Sequence, residues 1–343
     1  DLGYSYSRPQ IGLTNDGNWV AIFGNGYNST GDGKAKLFIV KMSGPGADGV
    51  WTLGTDYYKI TTNSALPSSP NGLATPALGD IDGNGTIDRA YAGDLNGDMW
   101  VFDLTGITFG SGKLDYTDPL FTTAGNQAIT SQPTLSFHPT EPNSDTNEPN
   151  LMVFFGSGQF LVSLDKTTTN NDYFYGVWDK GEPGLLPGLN MVEQTYESTS
   201  PRILTQKPVN YSTGDIGWKI SLPDTGERSI TNPAVRGDIV FFNTSVPESG
   251  PCTTGGFGYR FAVDLATGGT PDEPVLDFEK DGIIDDKDTY GIDKDVPSAD
   301  YLASFPTDNT FTDKLGYTGK DPFAISELDE PRIGRFSWQE LLK

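Results

Sequence analysis

A short signal recurs along this chain: Ser or Thr, Pro within two residues, then an apolar residue. It stands as Ser7-Arg8-Pro9-Gln10-Ile11, Thr75-Pro76-Ala77-Leu78, Ser131-Gln132-Pro133-Thr134-Leu135 and Thr231-Asn232-Pro233-Ala234-Val235, with a weaker copy at Ser200-Pro201-Arg202-Ile203. After each main copy comes an apolar run ending in Gly or Asn, at residues 19–26, 89–93, 151–158 and 239–243. A third run follows, often closing on Asp and a turn, at residues 36–40, 99–104, 173–179 and 259–268. Pro lacks the N–H that a strand ladder needs, so it belongs at strand starts and edges. Gly-rich turns between the second and third runs suit hairpins. The pattern predicts repeated units of antiparallel strands, which is the signature of a β-propeller.

The spacing is irregular: Pro9 to Pro76 is 67 residues, Pro76 to Pro133 is 57, and Pro133 to Pro233 is 100. Four or five blades are visible, and the last interval holds one elaborated blade or two. The segments Trp51-Thr52-Leu53, Tyr57-Tyr58-Lys59-Ile60 and Trp218-Lys219-Ile220-Ser221-Leu222 are expected as outer or preceding strands. The first unit starts at once, so strands outside this sequence are expected to complete the circle. Composition agrees with an all-β fold. Of 343 residues, 42 are Gly, 24 Pro, 15 Tyr and 19 Phe, so turns and aromatic-rich short segments dominate.

Residues 1–269 are read as the propeller blades and residues 270–343 as an acidic, irregular, calcium-binding tail. Residues 271–300 carry 11 acids against three lysines, a net of −8, and hydrophobic periodicity fades there. The chain closes on Arg335-Phe336-Ser337-Trp338-Gln339-Glu340-Leu341-Leu342-Lys343, in which Ser337 and Glu340 have the capping-box spacing of a short terminal helix. Residues 139–150 and 179–190, rich in Pro, Gly and polar side chains, are expected to be exposed insertions.

Charge narrows the function classes. The formal net charge is −23, which disfavours nucleic acid and anionic lipid as partners and favours cations. No stretch is long and apolar enough for a transmembrane helix. The chain opens Asp1-Leu2-Gly3-Tyr4, with neither a basic n-region nor an apolar h-region, so no signal peptide is expected within it. There is one histidine, His138, and one cysteine, Cys252. A Ser/His/Asp triad would depend on His138, in the Phe137-His138-Pro139 turn, where packing is the simpler role. Cys252 reads as a buried thiol or half of a disulfide to sequence outside the chain. Gly24-Asn25-Gly26 and Gly156-Ser157-Gly158 read as hairpin glycines, since neither opens a helical pattern. Arg236-Gly237-Asp238 spells the tripeptide that integrins recognise, at a turn leading into a strand.

Two acidic loops carry the chemistry. In Asp80-Ile81-Asp82-Gly83-Asn84-Gly85-Thr86-Ile87-Asp88, oxygen side chains fall at positions 1, 3, 5 and 9, with Gly at position 6. That is the spacing of a Ca²⁺ loop in which position 7, Thr86, offers its carbonyl. A plain polar turn would crowd three carboxylates together. Two such charges about 4 Å apart repel by roughly 4 kcal/mol at an effective dielectric of about 20, and a cation removes that cost. The second loop runs from Asp277 to Asp288. Asp277, Glu279, Asp281, Asp285 and Asp288 fill positions 1, 3, 5, 9 and 12, Gly282 sits at position 6, and Ile283 would offer its carbonyl at position 7. A solvated acidic linker is the alternative for this second loop. Mg²⁺ suits both loops less well, because it favours few carboxylates and retained waters.

Several stretches resemble a known family. Tyr4-Ser5-Tyr6-Ser7-Arg8-Pro9, Phe23-Gly24-Asn25-Gly26-Tyr27-Asn28-Ser29, the first acidic loop with Ala92-Gly93-Asp94-Leu95-Asn96-Gly97, Val153-Phe154-Phe155-Gly156-Ser157-Gly158 and the end Gly334-Arg335-Phe336-Ser337-Trp338-Gln339-Glu340-Leu341 are similar to the C-terminal domain of the PilY1-type type IV pilus biogenesis proteins. The resemblance implies a modified β-propeller at the pilus tip, exported through the periplasm and held by minor pilins. It implies roles in pilus assembly and in adhesion to host or other surfaces, without catalysis. It also implies a Ca²⁺ loop that influences extension against retraction, matched here by Asp80, Asp82, Asn84, Thr86 and Asp88. Two other readings stay open. Residues 93–104 resemble a blade hairpin of quinoprotein dehydrogenases, and the first acidic loop resembles those of integrin-α propellers, where such loops recur blade after blade.

Overall fold

The computed structural model describes residues 1–29, 31–63, 70–110, 115–116, 119–142, 148–181, 190–248, 255–311, 315–318 and 321–324. Cys252 and the capping-box pair Ser337 and Glu340 lie outside the described residues. Contacts divide the chain into two units, Asp1–Met152 with Asp179–Pro187 and Ile333–Lys343, and Val153–Trp178 with Gly188–Arg332.

The first unit holds two sheets. One has the order β1-β2-β3-β4-β8, from β1 (Gln10–Leu13), β2 (Trp19–Gly24), β3 (Lys36–Lys41), β4 (Tyr57–Thr62) and β8 (Asp115–Tyr116). Neighbours are antiparallel except β8, which runs parallel to β4. The other has the order β5-β6-β7-β9, from β5 (Ala77–Gly79), β6 (Arg89–Gly93), β7 (Asp98–Asp103) and β9 (Phe121–Thr122). Alternation on β2 sends Val20 and Ile22 inward. They pack with Leu37, Ile39, Ile87, Ala90, Trp100 and Phe102 in one shared core. The unit also contains β10 (Thr134–Phe137).

In the second unit, β11 (Leu151–Gly156), β12 (Tyr173–Asp179), β16 (Gly217–Ser221) and β13 (Met191–Gln194) lie side by side; the division between units falls near the start of β11 and the end of β12. The next sheet has the order β14-β15-β20-β19-β18-β17, from β14 (Tyr196–Thr199), β15 (Arg202–Leu204), β17 (Ala234–Arg236), β18 (Ile239–Pro247), β19 (Gly256–Asp264) and β20 (Ala299–Leu302). A last sheet comprises β21 (Asn309–Phe311), β22 (Leu315–Thr318) and β23 (Asp321–Ala324). The described residues thus form five sheets, within the expected four to five blades.

One strand serves two of these sheets. β13 runs parallel to β16, and after the single residue Thr195 the chain continues as β14, antiparallel to β15. Gln194 fixes the crossing point. Its amide donates to the Lys207 carbonyl (2.7 Å) and the Thr267 carbonyl (2.9 Å), and its oxygen accepts from the Thr205 hydroxyl (2.7 Å) and the Lys207 N–H (3.0 Å).

The glycines that close the second runs have a further role besides turning. A Cβ on Gly24 would collide with the Leu73 carbonyl, on Gly93 with the Ile129 side chain, and on Gly156 with Ser229. In each case the chain leading to β5, β10 or β17 passes directly over the glycine. Buried Asn25, Asp94 and Ser157 follow these glycines. Asn25 Oδ1 accepts the Leu73 N–H at 3.0 Å, and the Ile129 and Ser229 N–H groups donate to the Asp94 and Ser157 carbonyls.

Three expectations are redrawn in detail. Tyr57 to Ile60 and Trp218 to Ser221 lie in strands β4 and β16, whereas residues 51–53 form no strand, and Leu53 makes only an isolated bridge to Tyr57. The weak signal at Ser200 and Pro201 is the turn between β14 and β15, two outer strands, and not the start of a blade. Strands also continue past residue 269. The acidic stretch is a loop joining β19 to β20, and β20 pairs with both β19 and β15. Val275 and Leu276 anchor that loop in a core with Ile239, Phe241 and Ala262. β20 reads Ala299-Asp300-Tyr301-Leu302, too short and polar for its periodicity to stand out beside 11 acids.

Candidate metal centre

The first acidic loop joins β5 to β6, and apolar residues pin both its ends. Ile81 and Ile87 are buried, and Ile87 lies so close over Gly12 that a Cβ there would overlap it. The Ile87 N–H donates to the Leu13 carbonyl (2.8 Å), the Asp88 N–H to the Gly79 carbonyl (2.9 Å), and the Leu104 N–H to the Asp88 carbonyl (2.7 Å). The Thr86 hydroxyl reaches Asn15 Oδ1, between β1 and β2, and Asn84 Oδ1.

Between these anchors Asp80, Asp82 and Asp88 converge. Each presents a carboxylate oxygen, and the three oxygens lie within 4.8 Å of one another. Backbone amides shape the ring. Asp80 Oδ1 accepts from Gly83 (2.8 Å) and Asn84 (3.1 Å), and its Oδ2 from Gly85 (2.8 Å). Gly83 and Gly85 supply the positive φ angles, 74° and 90°, that this winding requires. Asp88 is buried, and its Oδ2 accepts the Ile81 N–H at 2.7 Å. Asp82 is exposed and accepts from the Asn84 backbone (3.0 Å) and amide side chain (2.9 Å).

The electrostatics are one-sided. Among the described residues no Lys, Arg or His pairs with Asp80, Asp82 or Asp88. Burial pushes the Asp80 and Asp88 carboxyls above the ordinary carboxylate range, and the neighbouring carboxylates push the same way, while the amide hydrogen bonds act against them. Hard oxygen donors without Cys or His suit Ca²⁺ rather than Zn²⁺.

The second loop is wound in a related way but is less converged. Asp277 accepts the Asp281 (3.1 Å) and Gly282 (2.8 Å) N–H groups, as Asp80 does at the same loop positions. Asp288 is buried and accepts from Phe278 (2.7 Å), Glu279 (3.1 Å) and Asp285 (2.9 Å). Asp288 therefore closes this loop as Asp88 closes the first, although it stands at position 12 and not 9. Asp285, at position 9, is turned to Lys287, whose amide and ammonium hold its carboxyl below the ordinary range. Asp281 accepts the Ile283 N–H, and Glu279 and Ile283 are exposed. Among the described residues, Asp80, Asp82 and Asp88 are the one group of three or more such ligand side chains drawn that close together.

The remaining candidates find structural places. His138 is buried, and its Nδ1 accepts the Thr140 (3.2 Å) and Glu141 (3.0 Å) N–H groups, which shapes the turn. Arg236 ends β17, and Gly237 (φ 56°) and Asp238 form the two-residue turn into β18. Asn15, which meets Thr86 across 71 residues, carries no local signal in the sequence. Neither does Arg202, which pairs with buried Glu227 at 2.6 Å.

The PilY1 β-propeller domain family model matches residues 1–195. This chain belongs to that family. It is 31% identical over 349 residues to the type IV pilus biogenesis factor PilY1 of Pseudomonas aeruginosa strain PAO1, covering 86% of this chain and 28% of that protein. It is 32% identical over 299 residues to a PilY1 homolog of Xylella fastidiosa, covering 78% of this chain and 19% of the homolog. The chain thus spans under a third of the length of these curated relatives. The crystal structure of the P. aeruginosa PilY1 C-terminal domain superposes with a TM-score of 0.75 at 25% identity, covering 95% of this chain and 73% of that domain. The PilY1 family fold, a modified β-propeller, is therefore the fold of this chain, as the repeated strand units predicted.

Proposed function

We propose that this chain is the propeller portion of a type IV pilus biogenesis factor that works by binding and not by catalysis. It would act at the cell surface, at the pilus tip, in contact with minor pilins and with the surfaces to which the pilus adheres. Family membership supports the pilus role. The observation that carries the calcium part is the convergence of Asp80, Asp82 and Asp88, with no Lys, Arg or His paired to them among the described residues.

In this reading Ca²⁺ sits among Asp80, Asp82 and Asp88, with Asn84 and the Thr86 carbonyl as further oxygen donors. The ion supplies positive charge. The protein's part is to hold the carboxylates together against their repulsion, through the amides of the loop and the buried Ile81 and Ile87. Because the loop is tied to β1, β5 and β7, its occupancy bears on how firmly the first two sheets are joined. That is a route from extracellular Ca²⁺ to the balance of pilus extension and retraction. Asp277, Glu279, Asp281, Ile283, Asp285 and Asp288 form a second, weaker Ca²⁺ candidate, because Asp285 is engaged with Lys287.

The test is calorimetric titration with Ca²⁺ of the chain and of Asp82→Asn, beside complementation of a strain lacking the gene. The expected result is loss of one binding event in the variant, together with altered surface piliation. Unchanged stoichiometry and affinity in Asp82→Asn would remove the calcium assignment. Normal pili and adhesion without the gene would remove the pilus role.

A further inference from the structure

One hydroxyl proton in the first acidic loop faces two acceptors. The Thr86 hydroxyl lies within hydrogen-bond reach of Asn84 Oδ1, inside the loop, and of Asn15 Oδ1, in the turn between β1 and β2. A threonine hydroxyl carries a single proton to donate, so one of the two oxygens receives it at a time. Neighbours fix which way both amides point. Asn84 Nδ2 donates to Asp82 Oδ2 (2.9 Å), and Asn15 Nδ2 donates to the Thr105 carbonyl (3.2 Å), just past β7. Each asparagine therefore presents its oxygen, and not its NH₂ group, to Thr86. The two acceptors are not equivalent. Asn84 Oδ1 already accepts the Thr86 N–H at 2.8 Å, which leaves one of its two lone pairs. That lone pair can take the Thr86 hydroxyl proton or face a cation, but not both. Asn15 stands outside the loop's ligand positions, so no such competition affects it.

We infer, resting on the calcium reading of this loop, that the Thr86 hydroxyl is a two-position switch thrown by Ca²⁺. Without the ion, Asn84 and Asn15 share the hydroxyl; with Asn84 Oδ1 turned to the ion, the hydroxyl donates to Asn15 alone. Asn15 is then a positioning residue: by holding the competing proton it releases Asn84 as a ligand. The coupling is reciprocal. Whatever Asn15 adds to Ca²⁺ affinity, occupancy returns as a firmer bond between the loop and the β1–β2 turn. Through Asn15 Nδ2 and the Thr105 carbonyl that bond continues to the end of β7, in the second sheet.

The test is calorimetric titration with Ca²⁺ of the parent chain, Asn15→Ala, Thr86→Val and the double variant, reading the binding event that Asp82→Asn removes. Melting temperatures in chelator check that each variant folds. Asn15→Ala leaves the hydroxyl proton only Asn84, and is expected to weaken Ca²⁺ affinity about three- to fivefold, the size of one exposed hydrogen bond in competition. Thr86→Val keeps the backbone carbonyl and removes the proton, so it is expected to bind as tightly as the parent or up to about twofold more tightly. In the double variant the loss caused by Asn15→Ala is expected to vanish, because no proton is left to hold. A purely structural role for Asn15 predicts no such rescue. Unchanged affinity in Asn15→Ala, or weakening that persists in the double variant, would overturn the switch and leave the calcium reading standing. A parent chain without that binding event would overturn both.

Discussion

Asp88 and Ile81 close the first acidic loop from inside: the buried Asp88 carboxylate accepts the Ile81 N–H at 2.7 Å. Asp88 is thus both a candidate ligand and a structural brace, whereas Asp82 is exposed and braces only Asn84. The two roles separate by mutation. Asp82→Asn is expected to lower Ca²⁺ affinity at least tenfold while leaving the melting temperature without Ca²⁺ nearly unchanged. Asp88→Ala is expected to lower both, by about 1.5–3 kcal/mol of stability for a lost hydrogen bond to a charged group. Calorimetry with thermal unfolding in chelator checks both. Equal loss of stability in the two variants would contradict the division of roles.

Asp172 gives a pH dependence of definite sign. Burial pushes its carboxyl up to about 6 from 3.8, against the Ser157 hydroxyl that donates to it (3.1 Å) and the nearby Arg228 guanidinium. Between about pH 4 and 6 the folded chain holds a proton that the unfolded chain has released. Stability from this group therefore falls as pH rises through that window, by at most about 1.4 kcal/mol per unit, and levels off above it. Asp172→Asn should remove this slope. Urea unfolding of both proteins from pH 4 to 8 checks it, and parallel profiles would refute the assignment.

Gly93 tests the close passage between sheets. Its Cβ position is filled by Ile129, whereas nothing stands near Gly106. Gly93→Ala is expected to cost 1–3 kcal/mol or more through overpacking. Gly106→Ala should stay within about 0.5 kcal/mol, as surface substitutions usually do. Denaturant midpoints at constant slope give the comparison.

Arg202 and Glu227 form a buried pair, with Arg202 also 3.3 Å over the Tyr259 ring and bonded to Asp224. Removing one partner strands the other's charge. Arg202→Met and Glu227→Leu are each expected to destabilise, Arg202→Met by about 3–5 kcal/mol. The double variant Arg202→Met with Glu227→Leu should recover part of that loss. A double-mutant cycle measures the coupling, and simple additivity would show that the pair does not act as a unit.

The blades were legible because Pro marks strand starts and Gly marks close approaches, and both act through local backbone geometry. The convergence of Asp80, Asp82 and Asp88 was legible for the same reason, since the three carboxylates lie within nine residues. Its support was not, because Asn15, Leu13 and Gly12 meet the loop only once two sheets have packed. In the second loop, spacing offered Asp285 at position 9 and Asp288 at position 12 alike. The structure turns Asp285 to Lys287 and gives the closing role to Asp288, a choice settled by burial and not by register. Residues past 269 hid their strands because Asp300, Asn309 and Thr310 carry no apolar alternation, and backbone pairing alone reveals them.

The strand from Met191 to Thr199 has a kinetic meaning. Hydrogen exchange at Ile220, on β16, and at Leu204, on β15, should report one common opening event, because neither sheet can shed its outer strand without pulling Gln194 from its four hydrogen bonds and disturbing the other. A protease that cuts at Thr195 would split that event in two, and the third and fourth sheets would then breathe separately.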